Sequence, residues 1–174
     1  MIRPQTPWFS KPLCCRYVLA EFKTLPLPVR DGDAVKDISW RWALGLFKQD
    51  EYEVLGAWPA RVSLALVALD LHVRGIEHIN AIVAEASADL APLDPDATLW
   101  PMAESGLDAL HPSTAAAFGH GHRTALQPAT ATAERLHKSL TREIRRRAPF
   151  ADEVAAATFL AQALERADRR LYAA

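Results

Sequence analysis

Val35-Lys36-Asp37-Ile38-Ser39-Trp40-Arg41-Trp42-Ala43-Leu44-Gly45-Leu46-Phe47 is the stretch on which the fold class turns. Val35, Ile38, Trp42 and Leu46 recur at steps of three and four, the spacing of one helical face. Asp33 stands just before them, where a carboxylate can accept a free amide proton of a first turn. Trp40 and Phe47 fall on the flank of a wide core-facing surface. The spacing predicts a helix.

Upstream, Cys14 to Phe22 mixes β-branched and aromatic residues and is the best strand candidate, with Pro26 and Pro28 expected to stop it. Pro4, Pro7 and Pro12 remove backbone donors and fix φ, which predicts an irregular arm over 1–13. Downstream, Trp58-Pro59 offers a helix start, because proline is tolerated at the first helical position. The run from Arg61 to Leu71 leans helical, although a buried strand fits its length equally well. After Gly75, the residues Ile76, Ile79, Val83, Ala86 and Leu90 form one stripe that predicts a helix closed by Pro92.

Residues 91–131 hold five prolines and three glycines. A stretch this irregular inside a compact domain is usually a binding loop, a lid or a linker. Beyond it the pattern is clearest. Thr132 is placed to cap a helix with the stripe Ala133, Leu136, Leu140 and Ile144, limited by Pro149. A last helix, about Asp152 to Tyr172, aligns Leu160, Leu164, Ala167 and Leu171. Its acids lie at the positive end of the peptide dipoles and its arginines at the negative end. The two helices are expected to form a hairpin.

The expectation is therefore a mainly α, compact helical domain with at most one N-terminal β-strand or hairpin. It forms a single domain over 14–174, with the irregular region at 91–131.

The chain has 174 residues, half of them hydrophobic, with 20 basic and 21 acidic side chains. That balance favours neither a disordered chain nor a membrane class. The longest apolar run, Val62 to Leu69, is too short to cross a bilayer. Adjacent Cys14 and Cys15 are poorly placed for a disulfide with each other, and no basic-then-apolar export signal opens the chain. A cytoplasmic location is the expectation. Charge is uneven: residues 50–108 carry 11 acids and 2 bases, whereas 134–174 carry 9 bases and 6 acids.

Six histidines occur, and His120-Gly121-His122 is the most site-like local feature. Two imidazoles two residues apart in an extended loop suit a transition metal, with His111 as a third ligand supplied by the fold. Asp70, His72, Glu77 and His78 also lie close enough in sequence to be candidates for a shared site. On the helix over 132–147, Arg135, Lys138, Arg142, Arg145 and Arg146 share the side opposite the apolar seam. Such a ridge is a solvated face, a docking face for a protein, or a phosphate-binding face, since guanidinium groups match phosphate oxygens.

Asp94-Pro95-Asp96-Ala97-Thr98-Leu99 resembles the Asp-x-Asp-x-Thr signature of haloacid-dehalogenase-like phosphotransferases. That resemblance covers six residues and implies Asp94 as nucleophile, Asp96 as general acid/base and a bound magnesium ion. The family sets the motif directly after a buried strand, whereas Ala91-Pro92-Leu93 precedes it here. Ala167 to Tyr172 resembles the closing segment of diguanylate cyclase domains, and Leu66 to Leu71 loosely resembles their first metal-bearing strand. Their Gly-Gly-Asp/Glu-Glu-Phe signature is absent, so that family is not assigned. Phosphate-loop, dinucleotide, nucleophile-elbow and His-Glu-x-x-His motifs are also missing from the sequence.

The leading functional expectation is a non-catalytic regulatory or protein-binding module without a cofactor, meeting a protein partner or a second copy of itself. One alternative is a small enzyme or metal-binding protein with a pocket formed by 91–131. Another is a nucleic-acid-binding protein using the basic helix 134–147.

Overall fold

The computed structural model describes residues 7–48, 51–84, 93–94, 96–101 and 120–172. The fold is mixed α/β, which overturns the mainly helical expectation. A short 3₁₀ turn, Pro7–Ser10, leads into β1 (Arg16–Tyr17), β2 (Leu19–Asp31), β3 (Ala34–Lys48) and β4 (Glu51–Pro59). Next come α1 (Leu64–Val73), β5 (His78–Ile79), β6 (Ala81–Ala84) and β7 (Thr98–Pro101). Two long helices close the order, α2 (His120–Arg147) and α3 (Glu153–Tyr172).

The main sheet has the order β4-β3-β2-β6-β7, with β2, β3 and β4 an antiparallel meander and β2, β6 and β7 parallel. The small β1–β5 pair carries the same parallel register onward: Tyr17 faces Ile79 as Ala20 faces Ile82. Val67 and Leu71 of α1 pack with Phe22, Leu55, Trp58 and Ile82 on one face. On the other face, Leu140 and Ile144 of α2 and Leu160 and Leu164 of α3 cover Leu25, Trp40, Trp42 and Val54. The seams expected of the last two helices do turn inward. Asp152 caps α3, its Oδ1 accepting the Ala155 amide proton at 2.7 Å.

The stretch 35–47 is strand because its even positions Trp40, Trp42, Leu44 and Leu46 all join the two-helix core. Ala43 faces the other layer and is also fully buried. From Trp42 to Leu46 the strand is covered on both faces and loses its polar alternation, while Ile38-Ser39-Trp40-Arg41-Trp42 keeps the period of two. Asp33 caps nothing: Gly32 and Asp33 form a two-residue hairpin link between paired Asp31 and Ala34, with Gly32 at φ 62° as a primed turn requires. Gly45 is needed for space, since an added Cβ would stand 2.6 Å from the Tyr17 ring.

Pro26 and Pro28 lie inside β2 rather than ending it. β6 pairs with β2 only at 20–22, so further along this edge is free of a partner strand. The neighbouring even positions Pro28 and Arg30 exchange hydrogen bonds with Phe150 on that edge. Prolines of the same parity therefore withdraw no donor from the β2–β3 ladder. Trp58-Pro59 ends β4, and the helix begins later, with Ser63 as its cap. Ile76, Ile79 and Val83 belong to a tight turn and to β5 and β6, not to a helix, while Ala86 and Leu90 lie outside the described residues. Thr132 sits within α2, which starts twelve residues before it.

Candidate functional site

The outward side of α2 is a row of cations. Arg135, Lys138, Arg142, Arg145 and Arg146 are all exposed, and they fall within about a 100° arc of the helix. Their apolar counterparts Leu140 and Ile144 are buried, which fixes the rotation of the helix. Arg142, Arg145 and Arg146 meet no carboxylate among the described residues. Three other exposed arginines do pair, Arg61 with Glu153, Arg166 with Glu143 and Arg169 with Glu165, whereas Arg147 and Arg170 share the unpaired state of Arg142, Arg145 and Arg146. Both acids of 134–147 are already engaged, Glu143 by Arg166 and Glu134 by Lys23 and Lys138.

Beneath the ridge lies a charge cluster with no counterpart among the sequence candidates. Glu21 and Lys23 point from β2 towards α2, each only 2% exposed. Lys23 Nζ stands 3.2 Å from Glu21 Oε1 and 3.2 Å from Glu134 Oε2. Neither Glu21 oxygen accepts a well-directed hydrogen bond among the described residues. Burial pushes the Glu21 carboxyl up to about 7, against the pull of Lys23. Burial also works against the Lys23 ammonium, yet Glu21 and Glu134 outweigh it and hold the amine above its usual value. Glu134 lies below the usual carboxylate range, because Lys23 and Lys138 outweigh its partial burial. Beside the cluster, His137 of α2 stacks on Trp42 with ring centroids 6.3 Å apart.

The place of this cluster in the fold is distinctive. The chain leaves β2 towards β3 on one side and β6 towards β7 on the other, and Glu21 pairs with Val83 near the carboxyl end of β6. The signal in the sequence was Glu21 and Lys23 at alternate positions of an otherwise apolar strand.

No family model matches this chain, and no curated protein does. The reading of its sites therefore rests on their geometry.

Of the other sequence candidates, His72, Glu77, His78 and Asp94 come together along one cleft beside α1. His120 and His122 occupy the first turn of α2 rather than an extended loop; their side chains, and all of His111, lie outside the described residues. Among the described residues no group of three or more His, Cys, Asp or Glu side chains gathers to hold a metal. Asp94 is a structural clip. Its Oδ2 accepts the Ile79 amide proton and meets His78 Nδ1, both at 2.8 Å, and its Oδ1 accepts from the Asp96 amide. With both oxygens engaged, and Thr98 and Leu99 of the motif lying within β7, the phosphotransferase role for Asp94 has no support among the described residues. Leu66 to Leu71 is helical, which removes the other motif resemblance. Asp70 accepts from Trp58 Nε1 at 3.1 Å and so is held away from His78 chemistry.

A further charge network ties the arm to the body. Lys11 Nζ bridges Glu53 at 3.1 Å and Asp168 at 2.6 Å, and the hydroxyls of Tyr17 and Tyr172 donate to Glu53. Asp168 also accepts from Trp8 Nε1 and from the Val54 amide. Burial raises the Glu53 carboxyl, but these donors and Lys11 outweigh it and hold it below the usual range. No helix of the described residues is long and apolar enough to cross a membrane.

Proposed function

We propose that the protein binds nucleic acid through the outward face of α2. The observation that carries this reading is the alignment of the exposed arginines Arg142, Arg145 and Arg146 along one side of α2, none of them meeting a carboxylate among the described residues. With Arg135 and Lys138 they form a row about 16 Å long at 1.5 Å rise per residue. A row of that length spans several backbone phosphates, whose regular spacing an acidic peptide lacks. Planar guanidinium forks engage phosphate oxygens two at a time.

The test is the salt dependence of binding to a fluorescent duplex and to a single-stranded oligonucleotide. Replacing Arg142, Arg145 and Arg146 by glutamine is expected to weaken binding about 10- to 100-fold. It should also flatten the log–log salt slope by about three. Unchanged affinity and slope in that variant, or no salt-sensitive binding by the natural chain, refutes the reading. Tighter binding to a polyglutamate peptide than to either oligonucleotide would also refute it, in favour of an acidic protein partner.

The expectation of a protein-binding module draws on the same row, Arg135, Lys138, Arg142, Arg145 and Arg146, and the polyglutamate comparison separates the two.

A further inference from the structure

We propose that the outer face of α1 docks a second copy of this chain, α1 against α1 in antiparallel two-fold contact. Of the ten residues of α1 only Val67 and Leu71 are buried against the sheet. Leu66, Leu69 and Val73 are 48%, 56% and 76% exposed and recur at steps of three and four along its outer side. The helix contains no Lys, Arg or Glu, and its single acid, Asp70, is turned to Trp58 and Arg74. An α-helix that is apolar all round belongs between two layers, and among the described residues this one has a layer on one side only.

Shape and charge select the occupant. Beside the stripe opens a cleft of about 380 Å³, walled by Leu69, Leu71, Ile76 and Leu93 and edged by His72, Glu77, His78 and Asp94. Protruding side chains and a recess in one patch are what a two-fold contact requires, because each copy supplies both halves. The first turn of α1 carries no acidic residue, and exposed Glu77 lies just beyond its other end. Antiparallel pairing sets each Glu77 beside the positive end of the opposite helix. A net charge of −1 leaves little repulsion between copies.

Area sets the strength. Ten residues make a helix about 15 Å long, and two such helices with the cleft edges bury less than the ~1,200 Å² of a standard interface. The dimer is therefore weak and reversible, with dissociation in the micromolar range. α1 and α2 lie on opposite faces of the sheet, so such a dimer leaves both arginine rows uncovered.

Sedimentation velocity of the full chain from about 1 µM to about 1 mM tests this, read beside circular dichroism to check folding. The natural chain is expected to pass from monomer to dimer over that range. Leu69→Asp and Val73→Lys, both at exposed positions, are expected to weaken association at least 10-fold with unchanged circular dichroism. A chain that stays monomeric throughout overturns the proposal, as does a dimer that neither substitution weakens. Should either variant unfold, Glu77→Lys gives the reading instead: several-fold weaker association supports the antiparallel contact, and unchanged association overturns it.

Discussion

The buried charges around Glu53 and Asp168 and those around Glu21 are built on opposite terms. Around Glu53 and Asp168, every carboxylate oxygen is met by a lysine, a hydroxyl, an indole or a backbone amide. Around Glu21, two oxygens are buried beside one ammonium without a well-directed hydrogen bond. The first arrangement holds its carboxylate ionised; the second pushes its carboxylate towards neutrality. Saturated polar networks stabilise a structure, whereas unsatisfied ones reduce its stability and persist where something other than stability keeps them. The contrast separates the device that pins the arm from the cluster under the arginine row.

The largest expected effect falls on the saturated cluster. Asp168→Ala strands the Val54 amide, the Trp8 indole and half of the Lys11 pairing, and should lower unfolding free energy by about 3–5 kcal/mol in urea titration. A loss below about 1 kcal/mol would erase the contrast. Glu21 should respond to pH in the opposite sense from Glu53. Its folded pKa is raised, so its contribution is complete below about 4.5 and is lost as pH rises through about 7. Glu53 is lowered, so its contribution is present above its unfolded value and is lost as pH falls. Between pH 5 and 8 the natural chain should therefore lose on the order of 1–3 kcal/mol relative to Glu21→Gln. Parallel stability–pH curves for the two proteins would contradict that account.

A third carboxylate, Asp94, sides with the saturated group. Asp94→Ala removes the acceptor for the Ile79 and Asp96 amides and should reduce stability by about 1–2 kcal/mol in the same titration. The smallest effect belongs to the arginine row. Arg142→Gln, Arg145→Gln and Arg146→Gln together should change stability by no more than about 0.5 kcal/mol. A larger change would mean that these side chains have structural partners, and would remove the reason for reading them as a binding face.

The helices at the end of the chain were legible because each has one wet and one dry side. Arg142 and Arg145 against Leu140 and Ile144 is a pattern of period 3.6 that no strand reproduces. The sheet was illegible for the converse reason. Trp42, Ala43, Leu44, Gly45 and Leu46 are all buried, so hydropathy is uniform where it needed to alternate. The chance three- and four-step spacing of Val35, Ile38, Trp42 and Leu46 then read as helical. Gly32-Asp33 carried the better signal, because Gly followed by Asp between two strand-like runs marks a two-residue hairpin link. Of the candidate site, the arginine row was visible in the sequence and the Glu21 cluster was not. Glu21 and Lys23 stand over a hundred residues from Glu134, and only the packing of α2 on β2 unites them.

The order of elements has a consequence for how the protein comes into being. Both helices that shelter Trp40 and Trp42 follow the whole sheet in the chain, so a ribosome releases an indole-rich, half-covered sheet before their cover exists. During translation that surface is open to other nascent chains. Productive maturation in the cell should then depend on holdase capacity more steeply than refolding of the finished polypeptide at high dilution.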